Sequence, residues 1–225
     1  MLQELLATGK PVVAVLFNGR PLAIPYVAEN VPAILEAWHP GVEAGNAICD
    51  ILFGDAMPSG KLTTTFPGAS GQCPMYYAHM NTGRPGGKSK FTSKYLDAPL
   101  EPLFPFGYGL SYTKYAYSDL KTVVENQTLK ASVTVSNTGS RDGEEVVQLY
   151  IRDLAADRVR PVKQLKAFRK IVLGAGEAKT VSFELPVAEL GYYDWNMNYC
   201  VDDGEYRVFV GGSSADTLEA AVILK

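Results

Sequence analysis

Residues 20–60 hold five carboxylates, Glu29, Glu36, Glu43, Asp50 and Asp55, and the whole chain holds two histidines, His39 and His79. Two carboxyl groups flanking a sugar could cleave a glycosidic bond, which in the retaining geometry requires them about 5–5.5 Å apart. Glu43 and Asp50 lie at opposite ends of one helical run, about 10 Å apart by the helical rise, and are poorly placed as such a pair. Glu43, in the first turn of that run, is favoured there by the helix macrodipole alone. Asp202 and Asp203 precede Gly204, the ordinary place for aspartates in a hairpin turn. Neither histidine has a second His, Cys or acid at metal-ligand spacing. His39, between Trp38 and Pro40, is expected in a partly buried, hydrogen-bonding role. Gly54-Asp-Ala-Met-Pro-Ser-Gly-Lys61-Leu62 resembles a phosphate loop only loosely. It has one residue too many between its glycines, Leu62 where Mg²⁺ chemistry needs Ser or Thr, and a strand after it where the cradle needs a helix. No Gly-x-Ser-x-Gly elbow offers a nucleophilic serine. Asn126-Gln-Thr128 is a glycosylation pattern that matters only in a chain secreted by a eukaryote. The residues by themselves present no catalytic set, no metal site and no cofactor site.

The elements divide at one stretch, Pro102-Leu-Phe-Pro-Phe-Gly-Tyr-Gly-Leu-Ser-Tyr-Thr113. Two prolines stiffen it, two glycines permit tight bends, and four aromatic rings can bury large areas. A flexible linker would be polar, so this composition predicts a packed seam clamping two parts together. Before it, strand and helix alternate. Met1 to Ala7 reads as a helix tail stopped by Gly9 and Pro11. Pro11 to Phe17 is an unbroken apolar run, as in a strand covered on both faces of a parallel sheet. Ala33 to Trp38 predicts a second strand, and Lys61 to Phe66, rich in threonine, a third. Between them, Ala44, Ala47, Ile48, Ile51 and Leu52 share one face of a helix over Val42 to Phe53, with Gly54 as its stop. Three strands and one good helix cannot cover each other, so the α/β layer reads as partial. Gly68 to Leu100 lacks periodicity and far exceeds an ordinary loop. Met75-Tyr-Tyr77, Phe91 and Tyr95 are its expected anchors.

After the seam, period-2 alternation takes over. Leu129, Ala131, Val133 and Val135 form one inward set, followed by Val147, Leu149 and Ile151, then Val181, Phe183 and Leu185, then Tyr206, Val208 and Val210. Turn signals separate them at Asn137-Thr-Gly139, Gly174-Ala-Gly176 and Asp202-Asp-Gly204. Roughly seven or eight short strands with regular turns predict an antiparallel β-sandwich. The fold class is therefore α/β plus all-β. Residues 1–70 form the α/β part, 71–118 the extended loop and seam, and 119–225 the sandwich.

The 225 residues can bury a real core. The net charge of −3 arises wholly after residue 118. No basic field is present to hold nucleic acid or an anionic membrane. No apolar run reaches a membrane span, and no signal peptide is visible at Met1. Cys49, Cys73 and Cys200 are odd in number, scattered, and read as reduced fillers.

Taken in order, several of these segments resemble glycoside hydrolase family 3. They are Lys10 to Pro21, Ala33 to Trp38 with Pro40-Gly41, Gly54-Asp55 with Pro58 to Leu62, Phe66-Pro67, and Pro105 to Thr113. Tyr76-Tyr77, Asn81 to Pro85 and Lys94-Tyr95 are most like the family's bacterial periplasmic β-glucosidase type, and Pro161 to Lys166 continues the likeness. Ala44, where a glycine is usual, and Cys73, where an aliphatic residue is usual, are mild departures. The resemblance implies the later part of the family's second domain, an α/β sandwich, followed by a fibronectin type III-like domain with an immunoglobulin-like sandwich. It implies retaining hydrolysis of β-linked glucosides in a longer parent whose N-terminal domain is a barrel. The nucleophilic aspartate and the acid/base glutamate of the family match no residue here, so the chain is expected to be inactive alone. The same resemblance implies a scaffold that supplies one side of the active-site cleft, with Tyr77, Arg84 and Tyr95 as candidate sugar contacts, against the more ordinary reading that they pack the domain interface. It implies a β-glucoside or oligosaccharide substrate, no cofactor, no nucleic acid, no membrane, and a periplasmic or secreted location. The residues alone leave a cytoplasmic location and a homodimer open. The alternative is a free-standing, non-catalytic carbohydrate-binding or interaction module. That module would need an exposed aromatic platform, for which Tyr192, Tyr193 and Trp195 are the only cluster on the sandwich, with Tyr192 on the opposite face from the other two.

Overall fold

The computed structural model describes residues 1–87 and 89–225. Helix α1 (Leu2–Ala7) ends at Thr8, and Gly9 follows in the left-handed region at φ 70°. Strands β1 (Val13–Leu16) and β2 (Ala33–Glu36) pair in parallel, with Val13 opposite Ala33. Their crossover carries α2 (Pro25–Asn30), which the sequence reading did not assign. Pro25 starts it at a position where a missing N–H costs nothing. Helix α3 (Ala44–Phe53) begins two residues later than expected, after Gly41 at φ 77° and a fully exposed Val42. Gly54, at φ 85°, stops it as anticipated.

Two expectations for this part are corrected. Within the chain, β1 is not covered on both faces. Val13 is 47% exposed, and no residue of α3 is buried. Nor does Lys61–Phe66 join the sheet as a third strand. It runs antiparallel to the seam instead. The Leu62 N–H donates to the Tyr108 carbonyl at 2.8 Å and the Gly107 N–H to the Leu62 carbonyl at 2.8 Å. The Phe66 N–H donates to the Phe104 carbonyl at 2.8 Å and the Leu103 N–H to the Phe66 carbonyl at 2.9 Å. Pro102 and Pro105 have no N–H to offer, so the pairing stays an interrupted ladder rather than a strand.

The excursion at 68–100 contains one short 3₁₀ turn (Ser70–Gln72). Buried Gln72 ties it shut. Its Oε1 accepts the Gly68 and Ala69 N–H groups at 2.7 and 2.9 Å, and its Nε2 donates to the Pro99 carbonyl at 2.7 Å. Tyr77 anchors the loop as expected. Phe91 and Tyr95 do not, being 69% and 44% exposed.

The sandwich has seven main strands: β3 (Tyr115–Glu125), β4 (Thr128–Asn137), β5 (Gly143–Asp153), β6 (Gln164–Leu173), β7 (Ala178–Pro186), β10 (Gly204–Gly211) and β11 (Thr217–Leu224). A small hairpin of β8 (Tyr192–Tyr193) and β9 (Tyr199–Cys200) precedes β10. The sheets β3–β4–β7 and β6–β5–β10–β11 are antiparallel throughout. All four alternating apolar sets fall in one buried core between them, with Val135, Val147, Leu149, Val208 and Val210 fully enclosed. Alternate side chains of β4 and β7 therefore fill one interior while their neighbours face out, as period-2 patterning demands.

Candidate functional site

The chemistry-bearing residues gather where the seam crosses from the α/β part to the sandwich. A line of rings makes the crossing. Trp38, just past β2, lies 5.8 Å from Phe66, which meets Phe104 edge-on at 6.0 Å, and Phe104 stacks on Tyr108 at 5.4 Å. Phe106 stacks on Tyr77 at 4.4 Å, and Tyr77 meets Tyr150 of β5 edge-on at 5.7 Å. Such offset and edge-on pairs suit the ring quadrupoles.

Polar groups lock the same crossing. Gln148, buried in β5, donates from Nε2 to the Gly107 carbonyl at 3.1 Å and the Gly212 carbonyl at 2.7 Å, and its Oε1 accepts the Tyr150 hydroxyl. Gly107 sits at φ 79°, and a Cβ there would meet Gln148 at 2.0 Å, so only glycine fits. Lys61 donates to the Gly109 carbonyl at 2.9 Å and pairs with Glu145 at 3.0 Å, both side chains largely out of water. Burial raises the Glu145 carboxyl above its ordinary range, with Lys61 pulling the other way. Burial also pushes the Tyr117 hydroxyl up, with the Glu145 charge adding to it. Sequence reasoning missed both latches. Nothing local to Lys61, at the head of a predicted strand, points to a carboxylate 84 residues away. A signal for Gln148 was available: it is a lone polar residue in the apolar run Val146–Ile151.

The three candidate sugar contacts are not brought together. Tyr77 is half-buried in the seam, and its hydroxyl accepts the Leu165 N–H at 3.3 Å. Arg84 follows the turn Asn81–Gly83, its N–H donating to Thr82 Oγ1 at 3.3 Å and its side chain exposed. Tyr95 lies further along the exposed arm of the excursion. A cleft of about 580 Å³ beside the seam is lined by Tyr77, His79, Arg152, Lys163, Arg207 and Glu219 among others, and neither Arg84 nor Tyr95 reaches it. Its half-buried cation Lys163 is already engaged. Lys163 donates to the Ser214 carbonyl at 2.7 Å and Thr217 Oγ1 at 3.1 Å, and sits 4.3 Å over Phe209.

Two of the α/β acids are tied to neighbouring groups. Glu36 accepts the Trp38 N–H at 3.0 Å, and burial raises its carboxyl. Glu43, at the N-terminus of α3, accepts from Asn46 Nδ2 at 2.7 Å. His39 departs from expectation. It is exposed, with its ring lying against Gly19 in the turn after β1, and the neighbouring Pro40 and Gly41 carry it out of the sheet. Among the described residues, no group of three His, Cys, Asp or Glu side chains is arranged to hold a metal.

The description "Glycosyl hydrolase family 3 C-terminal domain" matches residues 1–112, and "Fibronectin type III-like domain" matches residues 145–214. The chain belongs to glycoside hydrolase family 3. The periplasmic beta-glucosidase of Salmonella typhimurium is 49% identical to it over 222 residues, covering 96% of this chain and 29% of that protein. A beta-xylosidase of Formosa agariphila is 46% identical, covering 94% of this chain and 30% of its own length. The crystal structure of the beta-glucosidase from Listeria innocua in complex with isofagomine superimposes with a TM-score of 0.91 at 44% identity, covering 97% of this chain and 32% of that one. This family 3 chain thus spans less than a third of the length of each of these three proteins. It matches their C-terminal part, and its fold, a partial α/β layer followed by a fibronectin type III-like sandwich, is theirs.

Proposed function

We propose that this chain is the scaffold portion of a β-glucosidase-like retaining hydrolase, closing one side of the active-site cleft and bracing it through the sandwich. The observation that carries the proposal is the latched crossing: rings and hydrogen bonds running from Trp38 to Tyr150 tie an incomplete α/β layer to a complete sandwich. A module working alone gains nothing from clamping an incomplete layer so firmly. In this proposal residues 1–70 complete their layer against other parts of the enzyme, 71–118 form the loop and seam, and 119–225 form the brace. The nucleophilic and acid/base carboxylates come from outside these residues. Arg84 and Tyr95 border the sugar on the excursion's exposed arm, and Tyr77 fixes the arm's base through Phe106. A periplasmic or secreted location is supported by the name of the Salmonella relative. A homodimer is supported by the half-covered sheet.

The test is co-expression with a barrel-containing N-terminal portion of the parent, followed by size exclusion and assays on aryl β-glucoside and aryl β-xyloside. We expect no turnover by the 225-residue chain alone, and a stable complex cleaving the glucoside faster than the xyloside. A chain that ignores that partner, or that hydrolyses the glucoside by itself after stringent purification, would overturn the proposal.

A further inference from the structure

The hairpin of β8 and β9 projects four large side chains into water. Tyr193, Trp195, Met197 and Tyr199 are 56%, 72%, 71% and 52% exposed, while Tyr192 between them and the core is buried. Exposed aromatics gathered in one place mark interaction sites. This group is also held rigid. Asp194 accepts the N–H groups of Asn196 and Asn198, each at 2.8 Å, and the Asn198 amide at 3.3 Å. The Arg158 guanidinium lies 3.8 Å over the Trp195 ring and donates to the Asp194 carbonyl at 2.6 Å. Tyr193 and Tyr199 meet edge-on at 5.2 Å, and the Tyr199 hydroxyl donates to the Ala188 carbonyl at 2.8 Å.

We propose that this tip is a carbohydrate-stacking platform that holds a neutral β-linked gluco-oligosaccharide against the open face of Trp195. Arg158 covers one face of the indole and leaves the other to solvent, so the ring offers a single flat apolar surface. A β-glucopyranose unit has its hydroxyls equatorial and its axial C–H bonds on both faces, which gives it a flat apolar side of matching shape. The tip's two charges are mutually occupied: Asp194 by backbone N–H groups and an amide, Arg158 by the ring and a carbonyl. Both groups are thus engaged within the tip rather than held out toward an ionic ligand. Asn196 and Tyr193 are exposed, so the Asn196 amide and the Tyr193 hydroxyl can meet sugar hydroxyls. A platform ordered before binding loses little freedom when it binds. The inference rests on the hairpin alone and does not depend on the proposed hydrolase scaffold.

Trp38 and Trp195 are the only tryptophans in the chain, so Trp38→Phe makes Trp195 the sole indole reporter. We expect laminaripentaose or cellopentaose to shift its emission to the blue and to shield it from acrylamide. Calorimetry on the otherwise unaltered chain should give the same affinity. Trp195→Ala should weaken binding roughly thirty-fold, and Trp195→Phe should fall between. Unchanged circular dichroism shows that each variant is folded. The proposal is overturned if the emission is indifferent to both oligosaccharides, or if folded Trp195→Ala binds as tightly as the parent chain. It is also overturned if the tip instead mediates self-association that disappears in Trp195→Ala.

Discussion

Lys61 and Glu145 show how a single buried pair can dominate a junction. Removing one partner of such a pair typically costs roughly 3–5 kcal/mol, because the other charge is left without water or a counter-ion. We expect Lys61→Met to lose about that much stability at pH 7 in urea melts. The penalty should depend on pH with a defined sign. The folded-state pKa of Glu145 lies above the ordinary 4.5, so folding holds that proton more tightly than the unfolded chain does. Its contribution is complete below pH 4.5 and is lost as pH rises through the raised value. In Lys61→Met the raising is greater still, so the variant should recover part of its loss on acidification. A penalty that stays flat from pH 7 to pH 4.5 would rule out this account.

At the scale of elements, the seam behaves as part of both sides. Tyr77 and Phe106 are stacked at 4.4 Å and come from different segments. A double-mutant cycle of Tyr77→Ala and Phe106→Ala should return a coupling of about 0.5–1.5 kcal/mol, and simple additivity would show that the stack contributes nothing. How far these elements were legible in the sequence differs by mechanism. The sandwich strands were readable because burial on one face writes itself as alternation, and Val133 to Val135 or Val208 to Val210 need no distant partner to reveal it. Helix α3 was readable from its apolar spacing and the Gly54 stop. Lys61–Phe66 read as a sheet strand because threonine favours extended backbone. Its partner was set by where the prolines at 102 and 105 left carbonyls free, which no local pattern encodes. α2 was missed because six residues carry too little periodicity, and only Pro25 marked it. Of the candidate site, Tyr77 was legible as an aromatic anchor, whereas Gln148 and Lys61 matter through contacts 41 and 48 residues away.

Across the whole molecule, stability should be divided. The sandwich closes its own core between two sheets, while β1 and β2 hold no fully buried residue and pair with no third strand among the described residues. We expect native-state hydrogen exchange to protect the amides of Val133 and Val135 far longer than those of Val13 to Leu16. Comparable protection would mean that the α/β part is stable without further partners.

The staple made by Gln72 carries a consequence for a chain that has been cut. Trypsin should find Lys90 or Lys94 on the exposed arm before any site in the sandwich core. The two pieces would remain joined by Gln72 holding Pro99, by the Val162 N–H on the His79 carbonyl, and by the pairing of Leu62 and Phe66 with the seam. A nicked sample should therefore run as two bands under denaturing electrophoresis yet elute from a sizing column as one species. With Gln72→Ala, the nicked halves should come apart at a lower urea concentration.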